Sequence, residues 1–365
     1  MPAQNRYDVA VIGAGQAGLT VGYQLAQQGR RFVILEAADS VGPAWRTRWD
    51  SLALFTPRRY DSLPGLEFPG DPDGYPGRDE VIAYLESYAE AHELPVQLGS
   101  EVSSVRSENG SFRLDLQDGA AVEADQVVVA TGPFQVPRVP ALAADLDPGV
   151  FETHSVGYRN PGELPDGPVL VVGGGNTGFQ IAEELAADRE THLSVGSRQM
   201  PLPQRIGGRD LFWWLGKLGI LEKSIDTKLG RRLSTRDTLI GSSPRTAKRA
   251  GVTMHGRAVG ASGRTVVFED GSTVDVAAVI WATGYRFDHS WIDLPITDGD
   301  GKLLHRRGVT DVPGLYFLGL PWQHTRGSAL VGWVKDDAEF IAERIAERAS
   351  APSPTALEGA ATHGK

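Results

Sequence analysis

A short apolar strand that runs straight into a Gly-x-Gly-x-x-Gly turn occurs twice in this chain, and that repetition restricts the fold more than any other feature. In the first copy residues 9–12 (VAVI) read as a buried parallel strand, and Gly13, Gly15 and Gly18 stand where a helix must begin, with Gln16 and Ala17 in its first turn. The first glycine allows the tight turn, the second lets a diphosphate approach the backbone, and the third lets helix and strand pack closely. The helix N-terminus left open there offers unpaired N–H groups and the positive end of a dipole, which suits a diphosphate. Residues 33–35 form the next strand and lead into Glu36, eighteen residues beyond Gly18. A carboxylate at that point accepts hydrogen bonds from ribose hydroxyls and repels a 2′-phosphate.

The second copy, VLVVGGGNTGFQIAEEL, places Gly173, Gly175 and Gly178 in the same pattern around Asn176 and Thr177. Each copy is followed by a strand meander that ends in Ala-Thr-Gly: Ala130, Thr131 and Gly132 first, then Ala282, Thr283 and Gly284. The turn signals Asp118-Gly119 and Asp270-Gly271 each have their aspartate twelve residues before that alanine, so the two meanders are spaced alike. The spacing predicts an α/β protein of two Rossmann-like, three-layer dinucleotide-binding domains, the second inserted into the first. The expected boundaries are 1–162 with 283–349 for the first domain and 163–282 for the second, with 350–365 as a loose Pro-, Ala- and Ser-rich tail.

The copies part where nucleotide choice is made. After the second glycine motif the next strand ends without an acid, and Gly196-Ser197-Arg198 follows, with Arg198 twenty residues beyond Gly178. A guanidinium and a hydroxyl suit a 2′-phosphate. The first site is therefore expected to take FAD and the second NADPH, and tandem sites for a flavin and a nicotinamide imply hydride transfer between them.

Bulk properties narrow the alternatives. With 365 residues and a net charge of −10 there is no overall basic field for nucleic acid to exchange counterions with. The absence of cysteine excludes disulfides, thiolate metal sites and any Cys-x-x-Cys redox relay, and no metal site is assigned. The N-terminal residues show no signal pattern and no apolar run is long enough to span a bilayer, so a cytoplasmic location is expected.

Two glycine motifs with two Ala-Thr-Gly strand ends resemble the two-dinucleotide-binding-domain flavoproteins of glutathione-reductase-like fold. Within them the chain is similar to flavin-containing monooxygenases of the YUCCA-like and bacterial cation-efflux-associated type. The resemblance rests on residues 42–45 (GPAW), 55–58 (FTPR), 62–65 (SLPG), His154-Ser155, 158–161 (YRNP) and 282–285 (ATGY), and spans nearly the whole chain to about residue 345. The motif F-x-G-x-x-x-H of that family is degenerate here: Gly149 lies five residues before His154, and Pro148 takes the phenylalanine position.

The resemblance implies that NADPH reduces FAD and that oxygen then forms a C4a-(hydro)peroxide, which passes one oxygen atom to a small organic substrate. An NADPH-dependent flavin reductase or electron-transfer enzyme is the rival. Beside the glycine-loop residues and Glu36, the expected flavin set comprises Ala44, Trp45, Thr56, Val102, Ala130, Thr131, Gly132, Gly319 and Gln323. The NADPH set adds Ser197, Arg198, Ala282, Thr283 and Gly284 to the second loop. Phe55, Trp213, Trp322 and His324 are candidates for the substrate pocket, with Arg326 nearby; no general acid or base is named.

Residues 200–250 read as a helical insertion. Between Arg205 and Arg249 they carry eleven Lys or Arg against four Asp or Glu, and helical periodicity predicts one face formed by Leu211, Trp214, Leu215, Leu218 and Leu221. Three uses compete: a cover that admits an acidic or aromatic substrate, a membrane-surface contact, or a solvated helical pair. The same apolar residues are compatible with a homodimer.

Overall fold

The computed structural model describes residues 6–235 and 238–350. Its first half builds β1 (Arg6–Ile12), α1 (Gln16–Gln27), β2 (Phe32–Leu35), a short α2 (Pro43–Arg46), α3 (Arg78–Ala91), β3 (Val96–Gln97), β4 (Val102–Glu108), β5 (Ser111–Leu116) and β6 (Ala121–Val129). One sheet has the order β3-β2-β1-β6-β5-β4. A later strand, β21 (Leu315–Phe317), runs parallel to the end of β6 at residues 127–129, beyond the stretch paired with β5.

Period-two alternation divides the core. Val9 and Val11 face α1, α3 and the C-terminal α8 (Val334–Ser350), where they meet Leu19, Leu85 and Ile341. Ala10 and Ile12 face the other way, towards Phe112, Leu114, Ile292 and Phe317. The hairpin between β4 and β5 turns on Asn109 and Gly110, both at positive φ (51° and 84°), as Asn-Gly turns require.

The chain then passes through β7 (Val136–Pro137) into β8 (Phe151–His154), β9 (Val169–Val172), α4 (Asn176–Leu185) and β10 (Thr191–Ser194). Next come β11 (Met200–Leu202), the hairpin of β12 (Arg205–Ile206) and β13 (Arg209–Asp210), α5 (Leu211–Lys217), α6 (Lys228–Ser234), β14 (Thr238–Ile240) and α7 (Pro244–Arg249). The unit closes with β15 (Thr253–His255), β16 (Ala258–Ser262), β17 (Thr265–Phe268), β18 (Thr273–Asp275), β19 (Ala278–Trp281) and β20 (Tyr285–Arg286). The second parallel sheet has the order β15-β10-β9-β19-β8. Its edge strand β8 comes from residues 151–154, ahead of residue 163, where the sequence places the start of this unit.

Two expectations change on folding. The second meander is not a copy of the first. β6 is one nine-residue strand that serves both the meander and the parallel sheet, whereas β16-β17-β18 is a separate three-stranded sheet and β19 starts afresh after Val276 and Ala277. The insertion is also not a long amphipathic helix. α5 ends at Lys217, Gly219 turns the chain at φ 60°, and Leu218 is 65% exposed. Leu211, Phe212, Leu221 and Ile240 form a buried cluster of the segment, while Leu239 and Ala247 join the core of the second unit, so the face predicted through Trp214 and Leu218 does not form. Gly219, left-handed just past the helix end, stops a periodicity that the apolar residues alone would continue. The expected tail from 351 on, and Arg236 of the basic segment, lie outside the described residues.

Candidate active site

The two glycine loops have nearly the same geometry. Gly13 and Gly173 sit at φ 106° and 138°, and a Cβ on either would strike the carbonyl oxygen of Ala130 or Ala282 at 2.8 and 2.1 Å. On Gly18 or Gly178 a Cβ would lie 1.8 or 2.0 Å from the carbonyl of Gly13 or Gly173. The first and third glycines thus serve packing, and each loop is braced on its own Ala-Thr-Gly strand end. The middle glycines differ: around Gly15 and Gly175 a Cβ would meet nothing within 4 Å. Both are helix N-caps without a side-chain partner for the first turn of α1 or α4. Two cradles therefore present open backbone N–H groups to free space, the arrangement that fits a diphosphate.

At the ends of the neighbouring strands the charge differs. Glu36 is buried at the end of β2; its Oε2 accepts from the N–H of Ala14 at 2.7 Å and its Oε1 from Ala38 at 3.0 Å. Two backbone donors fix the carboxylate and leave acceptor capacity for ribose hydroxyls. In the second unit the register runs Val172↔Ser194 where the first runs Ile12↔Leu35, so the residue equivalent to Glu36 is Val195. Ser197 and Arg198 follow on the exposed loop; Gln199 Nε2 donates to Ser197 Oγ at 3.1 Å. Arg257, unmarked by any sequence pattern, donates to the Gly196 carbonyl at 2.5 Å and brings a second guanidinium to this loop.

Of the rest of the expected flavin set, Ala44, Trp45 and Gly319 gather at the start of α1. Trp45 Nε1 donates to Gln16 Oε1 at 3.1 Å, and Gly42 N–H donates to the Ala14 carbonyl at 3.0 Å, which ties the short α2, with Ala44 on it, to the glycine loop. A Cβ on Gly319 (φ 85°) would lie 2.8 Å from the Cβ of Ala17, so the β21 strand end closes on the same helix start. Gln323 is buried, its side-chain carbonyl accepts from Leu320 N–H at 3.3 Å, and its Nε2 has no protein partner. Val102 lies on the other face of the sheet, packed against the cluster of Ile12, Phe112 and Leu114.

Thr56 is buried, and its hydroxyl donates to Asp61 Oδ1 at 2.7 Å. That aspartate, absent from the expected set, is fully buried with Oδ2 unpartnered, and burial pushes its pKa up from 3.8 to about 7.

The two Ala-Thr-Gly ends lead into the paired linkers. β7 and β20 pair antiparallel, Thr283 Oγ1 donates to the Arg138 carbonyl, and Arg138 N–H donates to Gly284 at 2.9 Å. Thr131 accepts from Gln135 Nε2 at 3.1 Å, so both threonine hydroxyls serve the linkers. His154 Nε2 lies 3.1 Å from the Gly284 carbonyl, and burial holds the ring below the usual histidine pKa. Asn176 Oδ1 accepts from Ile240 N–H at 2.9 Å, which joins α4 to the insertion; Thr177 is the next residue of that first turn.

The insertion lies on the first unit. Phe55 stacks on Phe212 with centroids 6.0 Å apart, Gln204 Nε2 donates to the Phe55 carbonyl at 2.6 Å, and Ile225 N–H donates to the His324 carbonyl at 2.7 Å. Between them opens a cleft of about 370 Å³ whose aromatic walls are Tyr60, Phe212, Trp213 and Trp333, with Lys217 and Asp336 among its charged lining residues. Of the four pocket candidates Trp213 lines this cleft and Phe55 backs it through Phe212. His324 precedes the lining residue Thr325, and burial lowers its pKa. Trp322 holds a left-handed backbone, φ 55°, in the same loop. Tyr60 and Trp333 are not among the sequence candidates: the two rings stand far apart in sequence and meet only on folding, with centroids 5.5 Å apart.

Comparison with known proteins bears on the family and the fold. Residues 10–204 match the family model described as pyridine nucleotide-disulphide oxidoreductase. An oxidoreductase designated CzcO-like from Geobacillus kaustophilus is 47% identical over 94% of this chain and 99% of its own. Indole-3-pyruvate monooxygenase YUCCA1 of Oryza sativa subsp. japonica is 27% identical over 90% of this chain and 91% of its own. Among solved structures, a flavin-containing monooxygenase from Stenotrophomonas maltophilia superposes with a TM-score of 0.80 at 29% identity, covering 95% of this chain and all of that one. Among the described residues no helix is long and apolar enough to cross a membrane.

Proposed function

The chain belongs to the pyridine nucleotide-disulphide oxidoreductase family, among oxidoreductases of the flavin-containing monooxygenase type, and from that premise we propose an NADPH- and oxygen-dependent FAD monooxygenase acting on a small organic substrate. The family's disulphide chemistry is closed to it, because the sequence has no cysteine. The observation that carries the proposal is the pair of open cradles with an acid beside the first and cations beside the second.

In this reading the Gly13–Gly18 loop and Glu36 hold FAD, while the Gly173–Gly178 loop with Ser197 and Arg198 holds NADPH. The division between the two units falls at the paired linkers, 131–138 and 283–286. Bound flavin supplies hydride acceptance and oxygen activation; the chain supplies placement and a dry surrounding. Gln16 orients Trp45 through the indole N–H, and Asp61 fixes the Thr56 hydroxyl, so both elements of the expected flavin face are held before the cofactor arrives. The insertion acts as the cover, and the aromatic cleft beneath it suits a flat apolar substrate. The net reaction consumes NADPH, a proton, oxygen and substrate, and yields NADP⁺, water and the mono-oxygenated product.

Rapid mixing of the NADPH-reduced protein with oxygen tests this. A spectral transient that precedes the return of oxidised flavin is expected. Direct return of oxidised flavin without a transient would assign the chain to the reductase class instead.

A further inference from the structure

We propose that Arg48 binds the diphosphate of the nicotinamide dinucleotide, reaching from the first unit across the carboxyl edge of the second sheet. The proposal rests on the dinucleotide reading of the second unit given above.

Arg48 is only 6% exposed, yet among the described residues no carboxylate pairs with its side chain. One terminal nitrogen donates to the Tyr285 hydroxyl at 2.9 Å, and the guanidinium carbon lies 4.0 Å from the ring centre of Phe134 and 5.6 Å from that of Tyr285. Other half-buried arginines have backbone carbonyls or carboxylates as acceptors: Arg159 and Arg189 each donate to two or more carbonyls. Arg58, Arg78 and Arg307 keep side-chain exposures of 12%, 16% and 27% and each forms an ion pair, with Glu80, with Asp50 and Asp79, and with Asp337. A buried cation that has only a neutral phenol as acceptor is expensive, and a ligand anion removes that cost.

Its position says which anion. The segment around Arg48 belongs in sequence to the first unit but is locked into the second. Trp49 packs with Tyr158 and Phe179, Asp50 N–H donates to the Arg159 carbonyl at 2.8 Å, and Arg159 donates to the Thr47 carbonyl at 2.8 Å. Tyr285 follows the carboxyl end of β19 and His154 is the last residue of β8, with ring centres 4.8 Å apart. Strand order β10-β9-β19 reverses direction at β9, so the crevice for a nucleotide opens between the carboxyl ends of β9 and β19. A Cβ on Gly284 would meet open space there.

The 2′-phosphate belongs on the other side of β9, at the β10 end with Ser197 and Arg198, and the nicotinamide carries no anion. The diphosphate is the anionic part of the dinucleotide that remains for a guanidinium on the β19 side.

Calorimetric titration of the FAD-loaded protein with NADP⁺ and with NAD⁺ tests the assignment. Arg48→Met should weaken both by about the same factor, roughly 10- to 100-fold, leaving the NADP⁺ to NAD⁺ ratio and the flavin content unchanged and the melting temperature of the nucleotide-free protein no lower. Arg48→Lys, which keeps the charge but not the planar fork and covers the case of a Met variant that folds poorly, should recover part of the loss. Unchanged affinity for both nucleotides in either folded, yellow variant would overturn the proposal, as would a loss confined to NADP⁺, which would place Arg48 on the 2′-phosphate. A wild-type protein that binds neither nucleotide would instead remove the reading on which the proposal stands.

Discussion

In the proposed reading, the two glycine-loop units are nearly identical where each would bind a diphosphate and opposite where each would tell adenosines apart. Gly13–Gly18 and Gly173–Gly178 share positive φ at the first glycine, backbone contact at the third and open space at the second. Beyond the next strand, one unit buries Glu36 on two backbone donors, and the other puts Val195 in register and carries Ser197 and Arg198 onto solvent. In the proposed reading, the shared geometry sets the class of ligand held, and the side chains past the next strand decide which member.

The largest break comes from the third glycines. In Gly18→Ala the new methyl falls 1.8 Å from a backbone oxygen, so the first cradle must shift. Flavin affinity should fall by ~100-fold or more, read as loss of yellow colour on purification. Gly178→Ala should leave the colour and remove NADPH binding instead. Next is Asp61, for which the second unit shows no counterpart. Its carboxyl titrates at about 7 rather than 3.8, so its ionisation is harder in the fold than in the unfolded chain. Stability should therefore be lost as pH rises from about 4 to about 7, by up to about 4 kcal/mol. Asp61→Asn, followed by denaturant unfolding across that window, should abolish most of the slope; an unchanged slope would place the ionisation elsewhere.

Glu36→Gln keeps the shape but removes the charge, and should weaken FAD by roughly 10- to 100-fold in reconstitution of the apoprotein. The smallest effect is at the second strand end. Arg198→Ala should lower the preference for NADPH over NADH by about tenfold, and Val195→Glu, which copies Glu36 into register, should push it the same way. If Arg198→Ala leaves the ratio unchanged while Arg257→Ala lowers it, the discriminating cation is Arg257.

Most of this was legible in the sequence because the glycines, the strand ends and Glu36 act locally: their spacing alone states the turn, the packing and the charge. What was not legible depends on distant partners. Arg48 is buried by Phe134 and by Tyr285, 237 residues away, and no periodicity announces that. Asp61 follows two arginines in a Pro-rich stretch and reads as a surface acid until Thr56 and the chain around it close over its carboxyl. The insertion misled for the opposite reason. Its apolar spacing is helical, but Gly219 cuts the helix short, and Phe212 rather than Trp214 turns inward to meet Phe55, Tyr60 and Trp333.

The most direct test counts nucleotides. The purified chain should hold one FAD, and calorimetry on that yellow protein should find one further site per chain that prefers NADP⁺ to NAD⁺ without releasing flavin. Two FAD per chain, or NADP⁺ that displaces flavin, would contradict the assignment of one cradle to each nucleotide.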